Sequence, residues 1–127
     1  MTRRHILAVV AIAVLMGSPL LRAQAAGVAG TWMATFESQA GEQQYTFELV
    51  VKGSELTGTA KGNLTGETPI TEGKVEGGTI SFVENASYQG MPLRITYTGK
   101  VTSADEIAFT RNVAEVASEQ LVAKRAK

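Results

Sequence analysis

Short runs in which apolar and polar residues alternate fill the chain from residue 30 to residue 125. The run at 43–52 shows the pattern most clearly: its odd-numbered apolar residues are Tyr45, Phe47, Leu49 and Val51. A period of two residues is typical of a β-strand with one buried and one solvated face. No apolar repeat of helical period occurs between the start of these runs and about residue 113. The pattern therefore predicts an all-β fold.

Clusters of Gly, Asn and Ser divide the region into eight predicted strands. These are 30–37, 43–52, 55–61, 70–76, 79–85, 92–101, 106–111 and 119–125. Their short connections predict antiparallel neighbours throughout. Two segments are less regular. Residues 62–69 are interpreted as a polar loop that could conceal a short strand, and 113–119 as one helical turn or an irregular bend.

Three glycines share the parity of inward-facing residues on three different strands. They are Gly58, Gly73 and Gly99. Glycine weakens a strand locally but lets a sheet coil sharply without crowding its interior. We therefore expect an up-and-down barrel of about eight strands, because closure also removes exposed sheet edges.

Residues 1–25 have the pattern of a secretory signal peptide. Arg3, Arg4 and His5 precede the unbroken apolar stretch 6–16, and 23–25 supplies a small-x-small cleavage site after Ala25. An apolar stretch of this length is too short for a membrane span, which needs about 20 residues. The leader is expected to direct the chain to the periplasm or the medium, without a stable membrane anchor after cleavage. Both general secretion and twin-arginine export fit it.

Composition narrows the function of the remaining domain, residues 26–127. The leader holds three of the 12 basic residues and none of the 12 acidic ones, which leaves a net charge of −3. A mildly acidic chain without a basic cluster is a poor candidate for binding nucleic acid. The chain has no Cys, and its one His lies in the leader. Stability must therefore come from sheet packing without disulfides.

The same absences argue against an enzyme, a cofactor site and a metal site. A nucleophilic triad needs a base, and zinc sites normally use His or Cys. Glu84, in phase with Ile80 and Phe82, is the one acidic residue predicted to face inward. We interpret it as a charge near the barrel mouth. Glycosidase chemistry, which needs two nearby carboxyl groups, is the weaker alternative.

The opening Gly30-Thr31-Trp32 of an eight-strand meander, with Arg125 in the closing strand, resembles the calycin arrangement of lipocalins, fatty-acid-binding proteins and avidins. The resemblance implies that Trp32 packs against Arg125 by a cation–π contact and seals one end of the barrel. More closely, the segments 56–60, 72–82, 97–101, 107–111 and 122–125 resemble an uncharacterised group of small secreted bacterial β-barrel proteins. The single Trp departs from avidin-type biotin pockets.

A polar mouth is predicted at the opposite end of the barrel. The residues assigned to it are Glu84, Tyr88, Arg94, Tyr97 and Arg111. Two interpretations stay open: a small apolar or amphipathic ligand bound in the mouth, or an interior filled by aromatic side chains. In the second case the domain would be a structural or accessory module whose surface binds a partner protein or envelope polysaccharide.

Overall fold

The computed structural model describes residues 27–126 and shows a closed barrel of eight antiparallel strands in sequence order. The strands are β1 (Gly30–Ser38), β2 (Gly41–Lys52), β3 (Glu55–Gly62), β4 (Gly66–Glu76), β5 (Thr79–Tyr88), β6 (Met91–Ser103), β7 (Glu106–Val113) and β8 (Ala117–Arg125). The predicted all-β, up-and-down barrel is confirmed. Within residues 27–126 no helix is long and apolar enough to cross a membrane. The predicted leader, 1–25, lies outside the described residues.

Aromatic side chains fill the centre of the barrel. Phe47, Phe82, Tyr97 and Phe109 come from four strands, and all six pairs of their ring centroids lie 4.7–5.8 Å apart. Each of the four residues is at most 1% exposed. Such pairs stabilise a core beyond the effect of area alone. The middle of the barrel is thus packed, as the filled-core interpretation expects.

Glycines allow the wall to bend where the sequence predicted inward-facing glycines. Gly58 has φ +139°, and a Cβ on it would lie 1.8 Å from the carbonyl oxygen of Glu48. Gly99 lies under the Phe109 ring, which a Cβ would approach to 2.5 Å. The register of β3 with β4 shifts between Leu56 and Thr59, next to Gly58. A side chain at Gly58 would therefore push β2 and β3 apart, and one at Gly99 would displace the Phe109 ring.

The base of the barrel is closed by Arg125 and Trp32, as the calycin resemblance implies. The Arg125 guanidinium carbon lies 4.3 Å from the Trp32 ring centroid. The same guanidinium donates hydrogen bonds to the carbonyl oxygens of Ala29, Ala104 and Gly27. Trp32 Nε1 donates to the carbonyl oxygen of Val28 at 2.8 Å. These contacts join the start of β1, the end of β8 and the turn between β6 and β7.

The seam between β1 and β8 is paired only near this base. Its register pairs are Trp32 with Arg125 and Met33 with Lys124, and the Ala126 N–H donates to the Thr31 carbonyl. Other neighbouring strands pair over most of their length. Further toward the mouth, the described strands β1 and β8 have no register pairs with each other, so their facing backbone edges are free of ladder bonds.

For each of the two irregular segments the structure shows one of the stated alternatives: strand residues inside 62–69 and an irregular bend inside 113–119. The region 62–69 contains only a short turn, because β4 already begins at Gly66. Residues 113–119 contain no helical turn: Ala114 and Glu115 have φ of 51° and 61°, and β8 begins at Ala117. The Asn112 side chain accepts a hydrogen bond from the Glu115 N–H at 3.0 Å, and this bond holds the tight turn.

Candidate functional site

A cup of about 340 Å³ lies at the mouth, the end opposite Trp32 and Arg125. The turns at 39–40, 63–65, 89–90 and 114–116 surround this end of the barrel. The apolar part of the cup wall comes mainly from Leu64, Leu93, Val113 and Val116. Its polar lining includes Thr65, Arg111 and Glu119. The cup therefore combines an apolar wall with a charged floor.

Arg111 forms the centre of this floor and is only 2% exposed. Its Nη1 donates to Glu119 Oε1 at 2.5 Å, its Nε donates to the Tyr97 hydroxyl at 2.9 Å, and its Nη2 donates to the Tyr45 hydroxyl at 3.2 Å. The guanidinium carbon also lies 5.1–5.8 Å from the ring centroids of Phe36, Tyr45 and Tyr97. Its charge is thus held by a carboxylate, two hydroxyls and aromatic faces.

Glu84 lies beneath Arg111 and is fully buried. Its two oxygens accept hydrogen bonds from the hydroxyls of Tyr45 and Tyr97, each at 2.8 Å. The Thr65 hydroxyl lies 2.8 Å from the Tyr45 oxygen and 3.4 Å from Glu84 Oε2. An arginine can only donate, so each tyrosine oxygen accepts from Arg111 and gives its own proton to Glu84. Both Glu84 oxygens thus accept hydrogen bonds, as those of a carboxylate do.

Burial dominates the protonation equilibria of this cluster. It raises the pKa of Glu84 above its ordinary value, although the hydrogen bonds from Tyr45 and Tyr97 and the charge of Arg111 oppose it. Burial, with the nearby Glu84 charge, raises the pKa of Tyr45 to about 12. The same two causes raise the pKa of Tyr97 well above its ordinary value. Both tyrosines therefore remain hydrogen-bond donors far above neutral pH.

The predicted mouth residues do not all meet. Glu84, Tyr97 and Arg111 form one hydrogen-bonded cluster, and half-buried Tyr88 lines the cup. Arg94 lies on the outer face and pairs with Glu72 at 2.9 Å. Its side chain points outward because its strand neighbours Leu93 and Ile95 face inward. The assignment of Arg94 to the mouth was therefore wrong, since it rested on closeness to the 85–92 loop in the sequence.

Three members of the cluster were missed by sequence analysis. Tyr45 was predicted to face inward, but only as a core residue. Glu119 shares the inward parity of Leu121 and Ala123, a signal hidden by the expected bend at 113–119. Thr65 lies in a turn, where no periodicity applies. Among residues 27–126, no group of three His, Cys, Asp or Glu side chains is placed to hold a metal ion.

Comparisons with known proteins identify a shared fold. No family model matches the chain, and no curated protein matches it. A solved structure with the same architecture is that of EF1p2_mFAP2b bound to DFHBI, at 13% sequence identity and a TM-score of 0.55. The match covers 81% of this chain and 98% of that chain. At this identity the likeness shows the barrel fold alone.

The buried hydroxyls give a pH test of the cluster. In a Tyr88→Phe variant, absorbance at 295 nm reports only Tyr45 and Tyr97. We expect little tyrosinate in the folded protein until the pH approaches about 12. The folded state keeps the Tyr45 proton to a higher pH than the unfolded chain, so the free energy of unfolding should fall as pH rises from about 10 to about 12.

The control is the same variant in concentrated denaturant, where both tyrosines should titrate near pH 10. Titration of both hydroxyls near pH 10 in the folded protein would contradict the hydrogen-bonded cluster.

Proposed function

We propose that this chain is an exported, non-catalytic barrel of calycin type that binds one small apolar or amphipathic ligand in the cup. The observation that carries the proposal is the cup itself, an apolar wall above a charged and hydrogen-bonded floor. Its volume of about 340 Å³ falls at the lower end of the range of about 300–1,000 Å³ common for ligand sites. The ligand would enter only the mouth, because aromatic side chains fill the barrel below Arg111.

Exposed apolar residues around the mouth support a ligand with apolar surface. Leu64, Met91 and Val116 are 36%, 67% and 83% exposed, and all three lie in or next to the turns at this end. Exposed apolar side chains grouped at one place are typical of binding surfaces. The likeness to EF1p2_mFAP2b adds that a barrel of this architecture has been seen with DFHBI bound.

Two features support the non-catalytic and exported parts of the proposal. Glu84, the acidic residue that sequence analysis considered for catalysis, lies under Arg111 with both oxygens accepting hydrogen bonds. A carboxylate so placed has no direct contact with a molecule in the cup. The leader pattern at 1–25 supports a periplasmic or secreted location.

A substitution that fills the cup tests this function. Ala117 lines the cup, whereas Ala108 lies on the outer face of β7. We expect the neutral probe N-phenyl-1-naphthylamine to bind the wild-type protein saturably with enhanced fluorescence. Ala117→Trp should weaken binding at least about tenfold, since it occupies the apolar volume that the probe needs.

Ala108→Trp is the matched control and should bind like the wild type. Val113→Trp provides a second cup variant if Ala117→Trp fails to fold, as judged by circular dichroism. Unchanged binding by folded cup variants, or no saturable binding by the wild type, would refute the proposal.

The seam favours a second candidate, an accessory module that binds an extended segment of a partner protein. Hydrogen bonding alternates along a strand, and Arg125 and Ala126 bond to opposite neighbours. The N–H groups of Val122 and Gln120 therefore face β1 without a ladder partner. Exposed Met33 and Val122, at 55% and 42%, flank this unpaired edge. A partner strand could add there through its backbone.

Replacement of one backbone donor separates the two candidates. Val122→Pro removes the N–H that faces β1 but no bond to β7, while Val122→Thr keeps it. If the seam binds a partner, capture of that partner from an extract of the source cells should be lost in Val122→Pro and retained in Val122→Thr and Ala117→Trp. Equal capture by folded Val122→Pro would exclude this mode.

A further inference from the structure

An unsatisfied acceptor lies in the cup wall. Gln43 lines the cup and is 5% exposed, and its Oε1 has no hydrogen-bond partner among residues 27–126. Its Nε2 donates to Ser38 Oγ at 2.7 Å. The Ser38 hydroxyl gives its single proton to the Gly41 carbonyl at 2.8 Å, so it can only accept from Gln43. This fixes the amide orientation and leaves an oxygen that needs a donor.

The floor of the cup offers a second acceptor. Glu119 uses Oε1 to bind Arg111, and no described residue donates to its Oε2. Its side chain is 12% exposed, whereas that of Arg111 is 2% exposed. A polar group that enters the cup therefore meets acceptors on Gln43 and Glu119, while the guanidinium is already bound to Glu119, Tyr45 and Tyr97. Gln43 Oε1 is buried without a partner, which is costly and favours a ligand that donates a hydrogen bond.

The floor of the cup also has a net negative charge. Arg111 contributes one positive charge, and Glu84 and Glu119 contribute two negative ones, so the cluster has a formal charge of −1. A ligand carboxylate would be repelled by Glu84 and Glu119, because these two carboxylates already neutralise Arg111. A ligand with one positive charge would bring the net charge of the cluster to zero.

The distribution of charged side chains over the whole barrel also favours a cationic ligand. The domain, residues 26–127, contains 12 acidic and nine basic side chains, a net charge of −3. The Glu72–Arg94 pair on the outer wall is internally neutral. The base half holds Glu48, Glu55, Glu76, Asp105 and Glu106 against Lys52, Lys74, Lys100, Lys124 and Arg125. The mouth half holds Glu37, Glu42, Glu67, Glu84, Glu115 and Glu119 against Lys61 and Arg111. Among these residues the mouth half holds four more acidic than basic side chains, whereas the base half is balanced, so the mouth attracts cations.

We infer that the ligand of the cup is a cationic amphiphile: a primary ammonium group bound by Gln43 Oε1 and Glu119 Oε2, with an apolar body against Leu64, Leu93 and Val116. An ammonium group has three donors and no acceptor, so it matches both free oxygens. This inference rests on the proposed function, since it names the ligand class for the same cup.

Three probes of equal chain length test it by calorimetry at pH 7: n-octylamine, n-octanol and n-octanoate. We expect octylamine to bind at least about tenfold more tightly than octanol, and octanoate to bind most weakly. Equal binding of all three, or tighter binding of octanoate, would overturn the inference but leave the proposed function standing. If none of the three nor N-phenyl-1-naphthylamine binds, the proposed function itself fails.

Two variants test which residues cause the preference for octylamine. Gln43→Leu removes the free acceptor, and Glu119→Gln removes one negative charge from the floor. Each should weaken octylamine binding about tenfold and leave octanol binding within about twofold of wild type. Glu119→Gln should also narrow the gap between octylamine and octanoate, because it leaves the floor neutral.

Glu37→Gln is the matched control for Glu119→Gln, since it makes the same charge change on the outer face of the same end. It should retain most of the octylamine affinity. An equal loss of octylamine affinity in Glu37→Gln and Glu119→Gln would overturn the assignment of the head group to the floor. The preference would then come from the overall negative charge of the mouth and not from a contact with Glu119.

Discussion

The upper half of the barrel depends on the Arg111 guanidinium, buried between the carboxylates of Glu84 and Glu119. Without its charge, Glu84 would be an uncompensated ion in the core, which is among the costliest features a folded protein can have. Arg111 also sets the direction of both tyrosine hydroxyls, since it can only donate. One side chain thus determines the charge state, the hydrogen-bond order and the floor of the cup.

This arrangement separates two regions inside one barrel. Below Arg111, four aromatic rings from β2, β5, β6 and β7 leave no space for a ligand, and Arg125 on Trp32 closes the base. Above it, the wall is apolar and open to solvent. The two arginines therefore have different tasks: Arg125 bonds to backbone carbonyls and joins the chain ends, whereas Arg111 bonds to side chains and supports a binding surface.

The alternation of apolar and polar residues was sufficient to predict eight strands and to place Glu84, Tyr97 and Arg111 inside the barrel. It failed for Arg94, where proximity to a loop was given more weight than strand parity. It could not predict that Tyr45 meets residues 39 and 66 positions away, because that contact depends on the stagger of strands around the barrel. Nor could it show that β1 and β8 pair only in part, because the alternation of residues is the same whether or not the edge of a strand is hydrogen-bonded. Turn residues such as Thr65 have no periodicity to read.

A double-mutant cycle of Glu84→Gln and Arg111→Met, measured by urea unfolding at pH 7, tests the central role of Arg111 most directly. The two side chains are linked through both tyrosine hydroxyls, so their effects on the free energy of unfolding should not add. We predict a coupling energy of about 1.5 kcal/mol or more, with Arg111→Met much less damaging in the Glu84→Gln background. Effects that add to within about 0.5 kcal/mol would contradict the account, because Arg111 would then not be the group that compensates Glu84.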